Sequence, residues 1–254
     1  MKLYTNGCSF THGHLPYDIL DHCHTYNDYT YTADVRNIAW PWLLSNDFEH
    51  TFNHAKAGTG LDRTLRSTLD FVEHLDPCEY NEWIFIIQAS QAHRVEYLFP
   101  DFDNEVYGQF HHTDTVNMVV DDPNITSNIS CNLQVPKDFH YEWQTDMSFE
   151  INQIKNILVL QSIFKNMGLT YLFTGMMNRD IRPSNFTKTQ TKLLNNLEAQ
   201  IDTDYTILAM NEILQQYDAA DVMLKEDCGH PNLRGNTIIA DYIKTELEKR
   251  NWLT

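Results

Sequence analysis

Lys2-Leu3-Tyr4-Thr5-Asn6-Gly7-Cys8-Ser9-Phe10-Thr11-His12-Gly13 is the stretch whose reading decides the fold. Residues 2–6 alternate weakly and stop at Gly7, which reads as a first strand running into a Gly-x-Ser corner. A serine at such a corner can expose its Oγ above the edge of a sheet. Near the other end of the chain stands Asp227-Cys228-Gly229-His230-Pro231, followed by one long helical pattern. A serine hydroxyl is a poor nucleophile at neutral pH and needs a base in hydrogen-bond reach, which in turn needs an acid to fix its tautomer. Asp227 can fold back onto Nδ1 of His230 while Nε2 faces the serine. Any fold for this chain must therefore bring its two ends together.

Between those ends the apolar pattern has βαβ rhythm. Thr51 to Ala55 reads as a second strand, the Gly58-Thr59-Gly60 stretch as a turn, and 62–74 as a helix with Leu65, Leu69 and Val72 on one face. The run Glu82-Trp83-Ile84-Phe85-Ile86-Ile87 is the clearest strand, and its apolar part does not alternate, so it predicts a parallel strand buried on both faces. Residues 147–167 predict a long helix closed by Gly168, 170–174 a fourth strand, and 233–249 the final helix. Weaker patterns predict a helix over 34–48 with a kink or late start at Pro41, helices over 187–200 and 206–217, and a vestigial strand at 221–224. Residues 14–32 have no period and read as a loop. Residues 95–145 break the rhythm with Tyr97, Phe99, Phe102, Tyr107, Phe110, Phe139, Tyr141 and Trp143 among Asp, Asn and Pro, and 116–120 is β-prone. A segment of about fifty residues inside a compact domain is either a lid or a small subdomain. It is expected to pack over the active-site end of the sheet.

The 254 residues fit one large α/β domain, 1–254, with 95–145 as an insertion within it. A net charge of −17 repels nucleic-acid phosphate and anionic membrane, and Lys and Arg are scattered, so neither partner is expected. No apolar stretch approaches the roughly 20 residues that span a bilayer, and no N-terminal signal pattern is seen. Five cysteines with no CxxC suggest reduced thiols, and with the missing signal they predict a cytoplasmic protein. Oligomeric state is not readable from this sequence.

The blocks taken together resemble the GDSL/SGNH hydrolases. Gly7-Cys8-Ser9-Phe10-Thr11 is similar to that family's first block, with Cys8 where Asp usually stands. Asn53 followed by Gly58 resembles the second block, and Asp227-Cys228-Gly229-His230-Pro231-Asn232 the fifth. The resemblance implies a three-layer α/β/α domain with a mostly parallel, flavodoxin-like sheet. It also implies a serine esterase or acetylhydrolase acting through an acyl-enzyme on a small-molecule or carbohydrate ester, with no metal or organic cofactor. Ser9 would attack, His230 would move the proton and Asp227 would orient the imidazole. Backbone N–H groups of Ser9 and Gly58 would hold the oxyanion.

The third block departs from the family. Where Gly-x-Asn-Asp is expected after the third strand, the chain has Gln88-Ala89-Ser90-Gln91-Ala92-His93-Arg94. Ser90 stands nearest the position of the missing Asn, and Gln88, Gln91, His93 and Arg94 are further candidates to donate or to bind substrate. Removing one oxyanion-hole donor typically lowers turnover by about 10²–10³. The alternative to an enzyme is a glycan-binding or structural module that kept the fold. Cys8 is a second conceivable nucleophile, against a bland reading as a small buried thiol. The crowd His12, His14, His22, Cys23 and His24 matches no common structural zinc spacing.

Overall fold

The computed structural model describes residues 1–13, 38–56, 59–90, 94–97, 105–110, 116–121, 132–133, 146–175, 186–224 and 230–253. In chain order the strands are β1 (Lys2–Asn6), β2 (His50–Asn53), β3 (Trp83–Ala89), β4 (Arg94–Tyr97), β5 (Glu105–Phe110), β6 (Val116–Asp121), β7 (Asn132–Leu133) and β8 (Thr170–Gly175). The helices are α1 (Ser9–His12), α2 (Trp40–Leu43), α3 (Leu61–Glu73), α4 (Asp146–Met167), α5 (Lys188–Glu198), α6 (Met210–Leu214), α7 (Ala219–Val222) and α8 (Leu233–Lys249).

Four strands form an all-parallel sheet in the order β2-β1-β3-β8. Every residue of β3 is buried, because its side chains feed two separate cores. Ile84 and Ile86 face a layer with Trp40, Leu44, Met210, Leu214, Ile239 and Ile243, contributed by α2, α6 and α8. Phe85 and Ile87 face the opposite layer with Val72, Ile154, Ile157, Leu160, Phe164 and Leu194, from α3, α4 and α5. Helices cover both faces of the sheet, the three-layer α/β/α architecture the sequence implied. Each such side chain taken from water contributes about 1.5–3 kcal/mol before conformational entropy is set against it. On the α3–α4 side the rings run on in contact: Tyr4 lies 5.1 Å from Phe85, Phe85 5.1 Å from Phe164, and Phe164 5.2 Å from Tyr171.

The chain leaves β1 to pair with β2 on one side and later with β3 on the other. The strand order reverses beside β1, and the crevice at the carboxyl ends of strands that diverge in this way is where open α/β sheets place ligands. The strands β4, β5, β6 and β7 form a second, antiparallel sheet in that order, so the β-prone segment at 116–120 is a strand.

Three local expectations need correction. The helix predicted over 34–48 is, within the described residues, only the turn Trp40–Leu43 followed by a 3-10 turn at Ser45–Asp47. Pro41 sits in the first turn, where a missing N–H does no harm, so the late start is what it enforces. The helix predicted over 206–217 reduces to Met210–Leu214, because Thr206 bridges to Phe173 and the Ile207 N–H donates to the Phe173 carbonyl at 2.9 Å. Residues 219–222 form a helical turn, not a strand, and only Met223 makes a bridge, to Pro231.

Candidate active site

The proposed nucleophile sits where β1 ends. Cys8 is the extended N-cap of the one-turn helix α1, and Gly13 closes that turn in the left-handed region at φ 82°. Ser9 is therefore the first helical residue. It is 6% exposed, and its Oγ lies 2.8 Å from Nε2 of His230. The two ends of the chain meet at this hydrogen bond, across 221 positions of sequence.

The turn that carries Ser9 is anchored from three sides. Asn6, fully buried, accepts the Gly7 N–H at 2.9 Å. Its Nδ2 reaches the Tyr4 hydroxyl at 2.9 Å, Ser67 Oγ at 2.9 Å and Thr68 Oγ1 at 3.0 Å, so the turn is tied to α3. Burial pushes the Tyr4 phenol well above the ordinary tyrosine value, so this network stays neutral. Asn53, at the end of β2, donates to the Thr11 carbonyl at 2.9 Å and accepts from Thr5 Oγ1 at 3.1 Å. From beneath, Gln88 of β3 accepts the Cys8 N–H at 3.2 Å and the Thr11 hydroxyl at 2.7 Å.

The segment bearing His230 is held just as closely. Its carbonyl accepts the Leu224 N–H at 2.8 Å, and the Asn232 N–H donates to the Val222 carbonyl at 2.9 Å. Asn232 caps α8, its side chain accepting the Gly235 N–H at 3.0 Å, while its Nδ2 donates to the carbonyls of Asp221 and Met223 at 2.9 Å each. Asn236 reaches the Pro231 carbonyl at 3.1 Å and accepts the Trp40 N–H at 3.2 Å, tying the start of α8 to α2. Gly235 packs so tightly that a Cβ there would lie 2.2 Å from the Val222 carbonyl oxygen.

Of the other sequence candidates, Ser90 follows β3 directly, is 4% exposed, and its hydroxyl makes no hydrogen bond among the described residues. Its carbonyl accepts from Gln153 of α4 at 2.5 Å. Gln88 is fully buried beneath the nucleophile turn, so its place is structural and not on a substrate-facing wall. Arg94 opens β4, its backbone paired with Gln109. Asp227, Gly58, Gln91 and His93 lie outside the described residues, as do His14, His22, Cys23 and His24 of the histidine-rich loop. Beside Gly58 in sequence, the Lys56 N–H donates to the Gly7 carbonyl at 3.2 Å, and the Thr59 hydroxyl donates to the Lys56 carbonyl at 2.8 Å.

Cys8 is fully buried, and its Sγ points to Gln88 Oε1 at 3.4 Å while the neighbouring Ser9 Oγ faces the imidazole. That geometry favours the bland reading of the thiol. Among the described residues no three His, Cys, Asp or Glu side chains gather as a metal site, and no helix is long and apolar enough to cross a membrane.

Asn6, Asn232 and Asn236 escaped the sequence reading. For Asn6 a signal existed, an amide closing the first strand just before the glycine. The other two look like ordinary polar residues at a helix start.

No protein-family model matches the sequence, and no curated protein does. Solved structures similar over nearly the whole chain include the psychrotrophic esterase EstA from Pseudoalteromonas sp. (11% identity, covering 98% of this chain and 97% of that one, TM-score 0.48). A lipolytic protein of the G-D-S-L family from Veillonella parvula aligns at 11% identity over 98% of each chain, with a TM-score of 0.48. Axe2, an acetylxylan esterase from Geobacillus stearothermophilus, aligns at 12% identity over 97% of this chain and 93% of its own, with a TM-score of 0.42. With identities this low, the chemistry of the site has to be argued from this chain's own residues.

Proposed function

We propose that this protein is a serine-dependent ester hydrolase with Ser9 as nucleophile and His230 as general base. The observation that carries the reading is the 2.8 Å contact between Ser9 Oγ and His230 Nε2. A base must stand within about 2.6–3.2 Å of the proton it removes, and this one does. Ser9 attacks the ester carbonyl while its proton passes to Nε2. The imidazolium then returns that proton to the leaving alcohol, and water releases the acyl group by the reverse sequence. Asp227, three residues before the histidine, is assigned the Nδ1 side of the ring.

The oxyanion forms beside the nucleophile. The Ser9 N–H heads α1 and has no acceptor within that helix, as expected for a first-turn donor. Gly58 is assigned the second backbone donor. For the third, the buried hydroxyl of Ser90, unpartnered among the described residues, supports a role in place of the absent Asn, since a buried donor left unpaired costs about 1–3 kcal/mol unless a ligand takes it. The proposed substrate is a short acyl ester, and the finer reading is O-deacetylation of a carbohydrate, suggested by the aromatic content of 95–145.

The test compares wild type with Ser9→Ala on p-nitrophenyl acetate and on acetylated sugars. Ser9→Ala is expected to lose activity by at least about 10³-fold. Equal rates for the two proteins would overturn the enzyme reading and leave a non-catalytic module with this fold.

A further inference from the structure

Gln88 is an oddity of β3. It interrupts an apolar run, it is fully buried, and its Nε2 has no hydrogen-bond partner among the described residues. Its oxygen, by contrast, is crowded with donors: Thr11 Oγ1 at 2.7 Å, the Cys8 N–H at 3.2 Å and Cys8 Sγ at 3.4 Å. Rotating the amide by half a turn would set its NH₂ against the Cys8 N–H, donor against donor, so the orientation is fixed by its partners. A buried amide that leaves its nitrogen unpaired is being used for its oxygen.

We propose that Gln88 is a positioning residue for the nucleophile, its side-chain carbonyl fixing both ends of the turn that presents Ser9; this rests on Ser9 being the nucleophile. Cys8 precedes Ser9 and Thr11 follows it by two residues, so one oxygen grips the turn on either side of the reacting hydroxyl. Gly7 makes the grip possible. A Cβ at that position would lie 2.6 Å from Gln88 Cβ and 2.7 Å from Oε1, so only glycine lets the turn sit this low on the strand. The backbone donors are then accounted for in sequence. The Gly7 N–H goes to Asn6 and the Cys8 N–H to Gln88, and the Ser9 N–H is the next in line for a developing oxyanion. Without the Gln88 oxygen the turn loses its floor and Ser9 Oγ drifts relative to Nε2.

The test uses three variants. Gln88→Met keeps the bulk and loses the acceptor, Gln88→Glu keeps an oxygen, and Thr11→Val removes one donor with little change of shape. For each, kcat and KM on p-nitrophenyl acetate and the rate of Ser9 labelling by a fluorophosphonate are measured. Misplacement of a reacting group by about 1 Å lowers turnover about 100-fold, and Gln88→Met is expected to lose that much in kcat with KM changed less than about twofold. Gln88→Glu is expected to recover at least about a tenth of the wild-type kcat, and Thr11→Val to lose about tenfold. Wild type labelled at Ser9 with Gln88→Met labelled equally fast would overturn the positioning role and leave the nucleophile standing. Gln88→Glu as impaired as Gln88→Met would also overturn it, because packing and not the oxygen would then matter. If Gln88→Met does not fold, an unchanged kcat in Thr11→Val overturns the proposal. A wild type that is never labelled at Ser9 overturns the esterase reading itself.

Discussion

The ring of Phe10 lies against the imidazole of His230, centroids 5.3 Å apart and planes inclined by 37°. Phe10 is the residue after Ser9, so the segment that places the proposed nucleophile also supplies a wall for the proposed base. Phe10 is 8% exposed and belongs to the core beneath α8. Among the described residues the imidazole packs on the Phe10 ring and meets the Ser9 hydroxyl, two contacts that orient it.

The contact to Ser9 uses Nε2 as acceptor only while the ring is neutral. Activity is expected to fall on acidification through the range where histidine protonates, and to level off above it. A log(kcat/KM) profile from pH 5 to 9 measures this. A line flat across pH 5 to 8 would be incompatible with His230 as the base.

Cys8 offers its sulfur to Gln88 and none of its surface to solvent. Cys8→Ala is expected to keep kcat within about threefold of wild type, because the thiol takes no part in the chemistry. Iodoacetamide is expected to reach exposed Cys78 well before Cys8, although Asp76 beside Cys78 pushes that thiol up and slows its reaction. Peptide mapping after alkylation reads out both. Rapid modification of Cys8 with parallel loss of turnover would reverse the assignment of nucleophile.

Gly235 and Gly168 make a matched pair of substitutions. At Gly235 a Cβ would collide with the Val222 carbonyl at 2.2 Å and with Pro231 Cβ at 2.9 Å. Gly235→Ala is expected to destabilise by about 1–3 kcal/mol and to lower kcat as well, since Pro231 adjoins His230. At Gly168, φ is 69° and nothing stands within 4 Å, so Gly168→Ala is expected to cost about 1–2 kcal/mol of backbone strain and leave kcat alone. Thermal melts with parallel assays separate the two. Equal kcat in both variants would mean that the 230–235 segment does not transmit its position to the base.

The elements that the sequence showed most clearly are those whose signal is local and strong. The unalternating run at 82–87 read as a strand covered on both sides, and 233–249 carries a helical period. Ser9 and His230 stood out because their residue types, at their places in the chain order, suit one chemistry. What stayed hidden depended on partners far away in sequence. Residues 206–217 have a helical period, yet the edge of β8 captures Thr206 and Ile207 and shortens the helix. Gln88 was legible as a polar residue near the site but not in its task, since that turns on which end of one amide meets the Cys8 N–H. Pro41 announced a kink or a late start, and the short α2 that results packs against α8.

The 221 positions between the hydroxyl and its imidazole also set a clock on biosynthesis. At ribosomal speeds of about 5–20 residues per second, Ser9 emerges roughly 10 to 45 seconds before His230 exists. If Ser9 depends on His230 as proposed, the nascent chain carries an unarmed serine throughout that interval, and a product cut short before His230 is expected to stay chemically silent however well its sheet has formed.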